Sequence, residues 1–184
     1  MKLTSLVLGA LLMISLAGSA MGRPGGDFSV TYLSLAQDGS VGQVPCENEG
    51  EVICATSVLE GDWMGTAKVR FTEFLLNPMT GMGTYSGEID LCVTGVKNGG
   101  GENYLRKTGC TTGQVVNGVL GATGLTDDFQ PIFSVSSQAI TSGGTGYFKK
   151  LACESTNTGS IDPSRAPYGE VLAFDISCTF DPNL

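Results

Sequence analysis

The chain has 184 residues, 10 Lys plus Arg against 18 Asp plus Glu, and no histidine. Such an acidic surface repels phosphate backbones and anionic lipid, which argues against a nucleic-acid or peripheral-membrane role. Without an imidazole, Ser-His-Asp and Cys-His catalysis, His-ligated zinc and histidine pH switching are closed off.

Met1-Lys2 precedes an apolar run from Leu3 to Ala17, which ends in the small residues Gly18, Ser19 and Ala20. That order of charge, greasy core and small residues is the pattern of a secretory signal peptide, so residues 1–20 are expected to be removed after Ala20, with Gly22 as the second choice. The run is short for a bilayer span of about 20 residues. The mature part then holds nine basic and 18 acidic residues. It divides into a short flexible stub over 21–27, including Arg23-Pro24-Gly25-Gly26, and a single domain over 28–184. No sequon for N-glycosylation occurs.

The 27 glycines are spread between short runs rich in Val, Ile, Thr, Tyr and Phe, with Asn, Asp and Ser clusters at the breaks. This is the signature of antiparallel strands joined by turns. Strands are expected near 28–36, 52–59, 63–76, 82–96, 104–111, 114–120, 132–141, 146–154 and 170–180, one of which is dispensable. Segments 37–51 and 155–169 read as loops. In the hairpin from Trp63 to Val96, Asn77-Pro78-Met79-Thr80-Gly81 bars strand continuation. Pairing Leu76 with Met82 places Val69 opposite Ile89, Arg70 opposite Glu88, Lys68 opposite Asp90 and Glu73 opposite Tyr85. One face then carries the charges, and the other carries Ala67, Val69, Phe71, Ile89, Leu91 and Val93. The last strand alternates likewise, with Leu172, Phe174, Ile176, Cys178 and Phe180 on one side. Strands with one apolar face each must bury those faces together, and closure removes exposed edges. The expected fold is all-β, an antiparallel closed barrel of about eight strands, with a β-sandwich as the alternative.

Six cysteines remain behind the leader: Cys46, Cys54, Cys92, Cys110, Cys153 and Cys178. An even count behind an export signal reads as three disulfides, and hence an extracytoplasmic compartment. Of the 15 pairings that six cysteines allow, neighbours across hairpins favour Cys46 with Cys54, Cys92 with Cys110, and Cys153 with Cys178. No CxxC spacing speaks for a metal cluster.

The stretch Ser142-Gly143-Gly144-Thr145-Gly146-Tyr147-Phe148 resembles the GGTGxF turn of dirigent proteins and the related allene oxide cyclase-like barrels, and Tyr85-Ser86-Gly87-Glu88 is similar to their F-x-G element. The resemblance implies that the turn joins two late strands, that Phe148 enters a strand, and that Val171 to Phe180 closes an eight-stranded barrel. It also implies a cofactor-free cyclase or isomerase, or a dirigent-type protein that orients a reactive intermediate, in a trimer. No residue here corresponds to the catalytic acids and bases of those families.

Without histidine, chemistry would fall to carboxylates, Tyr or Lys shifted by burial. Glu73 continues the Ala67-Val69-Phe71 side and is the candidate inward carboxylate, with Tyr85 beside it; being four residues from the turn, it equally reaches solvent at a barrel rim. Trp63, the only tryptophan, either lines a ligand mouth or plugs a barrel end. Asp127-Asp128 lacks the alternating ligand spacing of a calcium loop. Gly99-Gly100-Gly101 lacks the Lys-Ser/Thr and helix of a phosphate loop. The leading expectation is a secreted, non-catalytic barrel that binds a small apolar or amphipathic molecule, with no cofactor and no metal. The alternatives are the cyclase or dirigent role, and an extracellular structural protein meeting a partner through its loops. An oligomer is compatible with the exposed barrel wall.

Overall fold

The computed structural model describes residues 25–37, 40–97 and 102–184. The expected leader, the Arg23-Pro24 part of the stub and the Gly99-Gly100-Gly101 run lie outside them. Strands in chain order are β1 (Gly26–Gln37), β2 (Ser40–Val41), β3 (Gln43–Val44), β4 (Ile53–Gly61), β5 (Trp63–Asn77), β6 (Met82–Lys97), β7 (Tyr104–Leu105), β8 (Gly109–Leu125), β9 (Pro131–Ser142), β10 (Leu151–Ile161) and β11 (Tyr168–Phe180). Eight of them, β1, β4, β5, β6, β8, β9, β10 and β11, pair antiparallel each with the next, and β1 pairs both β4 and β11 to close the sheet. The result is an eight-stranded antiparallel meander barrel, not a sandwich. The short β2 and β3 extend the wall beside β1 and β4, and β7 adds to β6.

The alternation that defined the strands also fills the interior. Val30 and Tyr32 from β1, Leu59 from β4, Ala67 and Val69 from β5, Ile89, Leu91 and Val93 from β6, and Phe174 and Ile176 from β11 are buried in one cluster. On the outside, Arg70 reaches diagonally to Asp90 and also to Glu88 at 3.0 Å and Glu51 at 3.4 Å, while Lys68 bonds Glu47 at 2.9 Å rather than the Asp90 that it faces. The wet face is therefore an ion-pair network that holds the 45–52 segment against the wall.

All three disulfides join the expected pairs: Cys46 with Cys54, Cys92 with Cys110, and Cys153 with Cys178. The last two are directly facing residues on neighbouring strands, with Cα atoms 4.1 Å apart.

Several expectations are corrected. The predicted strands 104–111 and 114–120 are one long β8 preceded by the two-residue β7. Most of 155–169 is strand, because β10 runs on to Ile161 and β11 starts at Tyr168; only residues 162–167 connect them. The first strand takes in Gly26 and Asp27 of the stub. Phe148 does not enter a strand. It ends a 3-10 turn, Gly146–Phe148, and β10 begins only at Leu151. That turn needs glycine at Gly146, whose φ is +52°, where a Cβ would lie 2.0 Å from the Thr108 carbonyl oxygen.

The most consequential correction concerns register. Lys68, Val69, Arg70 and Phe71 face Asp90, Ile89, Glu88 and Gly87 as expected, but a bulge at Thr72 then inserts one residue into β5. Beyond it Glu73 faces Ser86, Phe74 faces Tyr85, and Met82 faces Asn77 rather than Leu76. Since side chains alternate with period two, one extra residue sends every later side chain to the opposite face. A matching shift between Val116 and Val119 brings Val115 and Leu120 both inward on β8.

Candidate functional site

The two ends of the barrel are filled differently. At one end Trp63 is 1 % exposed and Phe148 fully buried, with Phe28 and Tyr147 packed around them at ring separations of 5.2–6.2 Å. This aromatic plug, with Leu151 and the Cys153–Cys178 bridge behind it, closes that end. The other half encloses a cavity of about 270 Å³. Its upper wall is apolar, built from Ile53, Phe71, Phe74, Leu120, Phe133 and Leu172. The open rim carries the turns after β5, β8 and β10 and the 45–52 segment, with Met79 91 % and Phe129 79 % exposed on two of those turns. An eight-stranded barrel is about the smallest that can hold one small ligand rather than only its own side chains.

Between these apolar residues other inward positions are polar. Glu170 points inward because it continues the Phe174-Leu172 side of β11, two residues before Leu172. Across the β1–β11 pairing Ser34, fully buried, faces it and donates its hydroxyl to Glu170 Oε2 at 2.8 Å. Tyr32, two residues earlier on β1, also faces the lumen. On the adjoining strands, Asn157 of β10 donates Nδ2–H to Ser137 Oγ of β9 at 3.1 Å and accepts from Ser155 Oγ at 2.8 Å. The Tyr85 hydroxyl donates to the Ser136 carbonyl at 3.1 Å, and its ring packs edge-on against Phe71 at 5.1 Å. Ser57 Oγ, near Tyr32, is buried without a hydrogen-bond partner.

Electrostatically this belt is one-sided. Burial pushes Glu170 up to about 7, against the smaller opposite effect of the Ser34 hydrogen bond. Burial, followed by the charge of Glu170, raises Tyr32, with Ser57 and Ser34 working the other way. Tyr85 is raised mainly by burial as well, with Ser137 lowering it and Glu170 adding to the rise. Both phenols therefore stay protonated donors at ordinary pH, and Glu170 titrates near neutrality. Among the described residues it is the only charged one that lines the cavity.

The expected site residues separate. Glu73 is on the outer surface, exposed, accepting a hydrogen bond from Ser86 Oγ at 3.1 Å; the bulge at Thr72 removes it from the lumen. Tyr85 lines the cavity without Glu73. Trp63 lies in the plug, and its Nε1 has no hydrogen-bond partner. Asp127 and Asp128 are exposed on the turn after β8. Glu170, Ser34, Tyr32, Ser137 and Asn157 were missed, although extending the β11 alternation two residues back from Leu172 points to Glu170. The one candidate metal cluster among the described residues, Cys46, Glu51 and Cys54, joins a carboxylate to two sulfurs already spent in a disulfide, so it offers no thiolate ligand.

Fold and site together define the chain as a closed, disulfide-bonded, antiparallel β-barrel with one plugged end and one hollow end whose apolar wall carries a few polar groups. Comparison with protein-family models, curated proteins and solved structures finds no match. Among the described residues no helix is long and apolar enough to cross a membrane.

Proposed function

We propose that the protein is a secreted carrier or receptor barrel that takes one small, largely apolar molecule into its open half. The observation that carries this reading is the cavity of about 270 Å³ with an aromatic and aliphatic wall interrupted by a few polar groups. This is the composition of small-molecule sites, in which apolar area supplies affinity and sparse polar groups fix orientation. Lumenal Ser and Asn cost stability where Leu or Val would fill space, so their presence argues for a retained hollow rather than a solid structural barrel. The three disulfides fit an oxidising, extracytoplasmic setting.

A second reading draws on the same polar groups. One carboxyl and two phenols facing the lumen are the groups that a cofactor-free cyclase or isomerase would use to move a proton. It differs from carriage in requiring that a bound molecule leave chemically changed.

Titration with N-phenyl-1-naphthylamine, a neutral apolar fluorophore, tests the lumenal site. One probe per chain should bind with a blue-shifted emission, and Ala55→Leu, which projects into the cavity, should weaken binding at least tenfold while the far-UV dichroism stays that of a barrel. Undiminished binding in a folded Ala55→Leu protein would place the probe elsewhere and overturn the proposal.

A further inference from the structure

We propose that the lumen selects a cationic head: its ligand carries a protonated amine on an apolar body, and the amine binds to the Glu170 carboxylate in the cavity wall. This inference deepens the carrier reading and rests on it.

The argument begins with the inventory of charge. Of the described residues that line the cavity, Glu170 alone is ionisable as an acid or base outside the phenols, and no Lys or Arg is among them. Arg70, whose guanidinium would be the natural partner for a carboxylate, is on the outer wall and bound to Asp90, Glu88 and Glu51. Among the described residues Glu170 thus accepts from a single side-chain donor, Ser34 at 2.8 Å, on one oxygen, Oε2. A carboxylate has about four lone-pair sites to satisfy, so acceptor capacity is left facing the lumen.

A buried charge is tolerated best when paired. An alkylammonium brings three donors and a compensating charge to that carboxylate. An anionic head would set two negative charges against each other in a largely apolar cavity. An alcohol supplies one donor and no charge.

The groups that face Glu170 from the surrounding strands are compatible with this arrangement. From β1 come Ser34 and Tyr32, from β4 Ser57 beside Tyr32, from β6 Tyr85, from β9 Ser137, and from β10 Asn157 and Ile161. Only the two tyrosines among them titrate, and both are raised by burial, so neither changes charge near neutrality. The pH dependence of head-group choice therefore belongs to Glu170. Its carboxyl, lifted to about 7 by burial, gains its charge as pH rises through neutrality, while an alkylamine remains protonated throughout that range.

The test uses the full mature protein and displacement of N-phenyl-1-naphthylamine by three eight-carbon ligands, octylamine, octanol and octanoate, at pH 5.5 and 8.5. Octylamine should bind at least tenfold tighter than octanol at pH 8.5 and approach it at pH 5.5, with octanoate weakest at pH 8.5. Glu170→Gln should abolish the amine preference and its pH dependence while the far-UV dichroism stays that of a barrel. Equal binding of octylamine and octanol at pH 8.5 by a protein that still binds the probe overturns the inference and leaves the carrier reading standing. Tightest binding of octanoate at pH 8.5 overturns it in favour of the opposite charge. Failure of the probe itself to bind overturns the carrier reading beneath it. Should Glu170→Gln not fold, the wild-type pH profile decides the matter alone.

Discussion

At the plugged end the interior is filled by Trp63, Phe148 and Leu151, whereas in the hollow half Ser137, Asn157 and Glu170 stand among the aromatic residues that line the cavity. The wall is the same antiparallel meander, with the same alternation, in both halves. What differs is side-chain volume and polarity. Large aromatics interdigitate edge-to-face and leave no space, each such pair adding about 0.5–1.5 kcal/mol beyond its buried area. Small hydroxyls and an amide leave room that the opposite wall does not reach across. One end thus holds the barrel together, and the other is available to hold something else.

The contrast breaks most visibly under truncation. Trp63→Ala removes a fully buried indole from the plug and should destabilise by about 3–5 kcal/mol. Phe74→Ala removes a half-buried ring that already faces the cavity, and should cost roughly half of that or less. Urea unfolding of the two variants measures the difference. Equal losses would mean that the open half is packed as solidly as the plug, and the functional distinction between the ends would go with it.

A second measurement sharpens the contrast by pH. Glu170 has an ordinary value of 4.5 and is held up to about 7 in the folded barrel. Between those values the folded state keeps a proton that the unfolded chain has released, so stability falls as pH rises and the loss is complete above about 7. At about 1.4 kcal/mol per unit the loss is on the order of 3 kcal/mol at most. Asp90 works in the opposite sense: burial pushes it up, but hydrogen bonds from Arg70 and Thr112 hold it below its ordinary value, so its contribution is lost as pH falls. That contribution is common to wild type and Glu170→Gln and cancels in their difference. The variant should therefore match or fall below wild type near pH 4.5 and exceed it at pH 8, as read from chemical unfolding at each pH. A difference that does not change with pH would mean that Glu170 is not buried in the lumen.

Legibility in the sequence followed the same division. Where polar and apolar residues alternate without interruption, as in Ala67-Lys68-Val69-Arg70-Phe71 against Gly87 to Leu91, the pairing could be read directly and is the one observed. The disulfides were readable for a related reason: cysteines near the ends of adjacent strands are brought together by the hairpin geometry. The bulge at Thr72 was not, because Phe71-Thr72-Glu73-Phe74 satisfies an alternating pattern up to Glu73, and only the three-residue spacing of two aromatics that both line the cavity hints at an inserted residue. Glu170 is the first residue of the last expected strand, 170–180, but the inward side of that strand was followed only from Leu172 onward. The cavity itself depends on summed volumes across eight strands, which no local pattern contains.

The smallest expected effect is the one that checks the register most cleanly. Glu73 is exposed and accepts one hydrogen bond, from Ser86 Oγ, and exposed positions of this kind tolerate substitution within about 0.5 kcal/mol. Glu73→Gln should leave unfolding, probe affinity and the octylamine preference where they are in wild type, while Glu170→Gln changes the last of these and the pH profile of stability. The two substitutions are chemically identical and sit on neighbouring parts of the same open half, so their different outcomes isolate which carboxylate faces inward. If Glu73→Gln instead reproduces the Glu170→Gln profile, the bulge at Thr72 does not exist in solution. Period two then runs unbroken through β5, and Glu73 and Tyr85 face each other across the lumen.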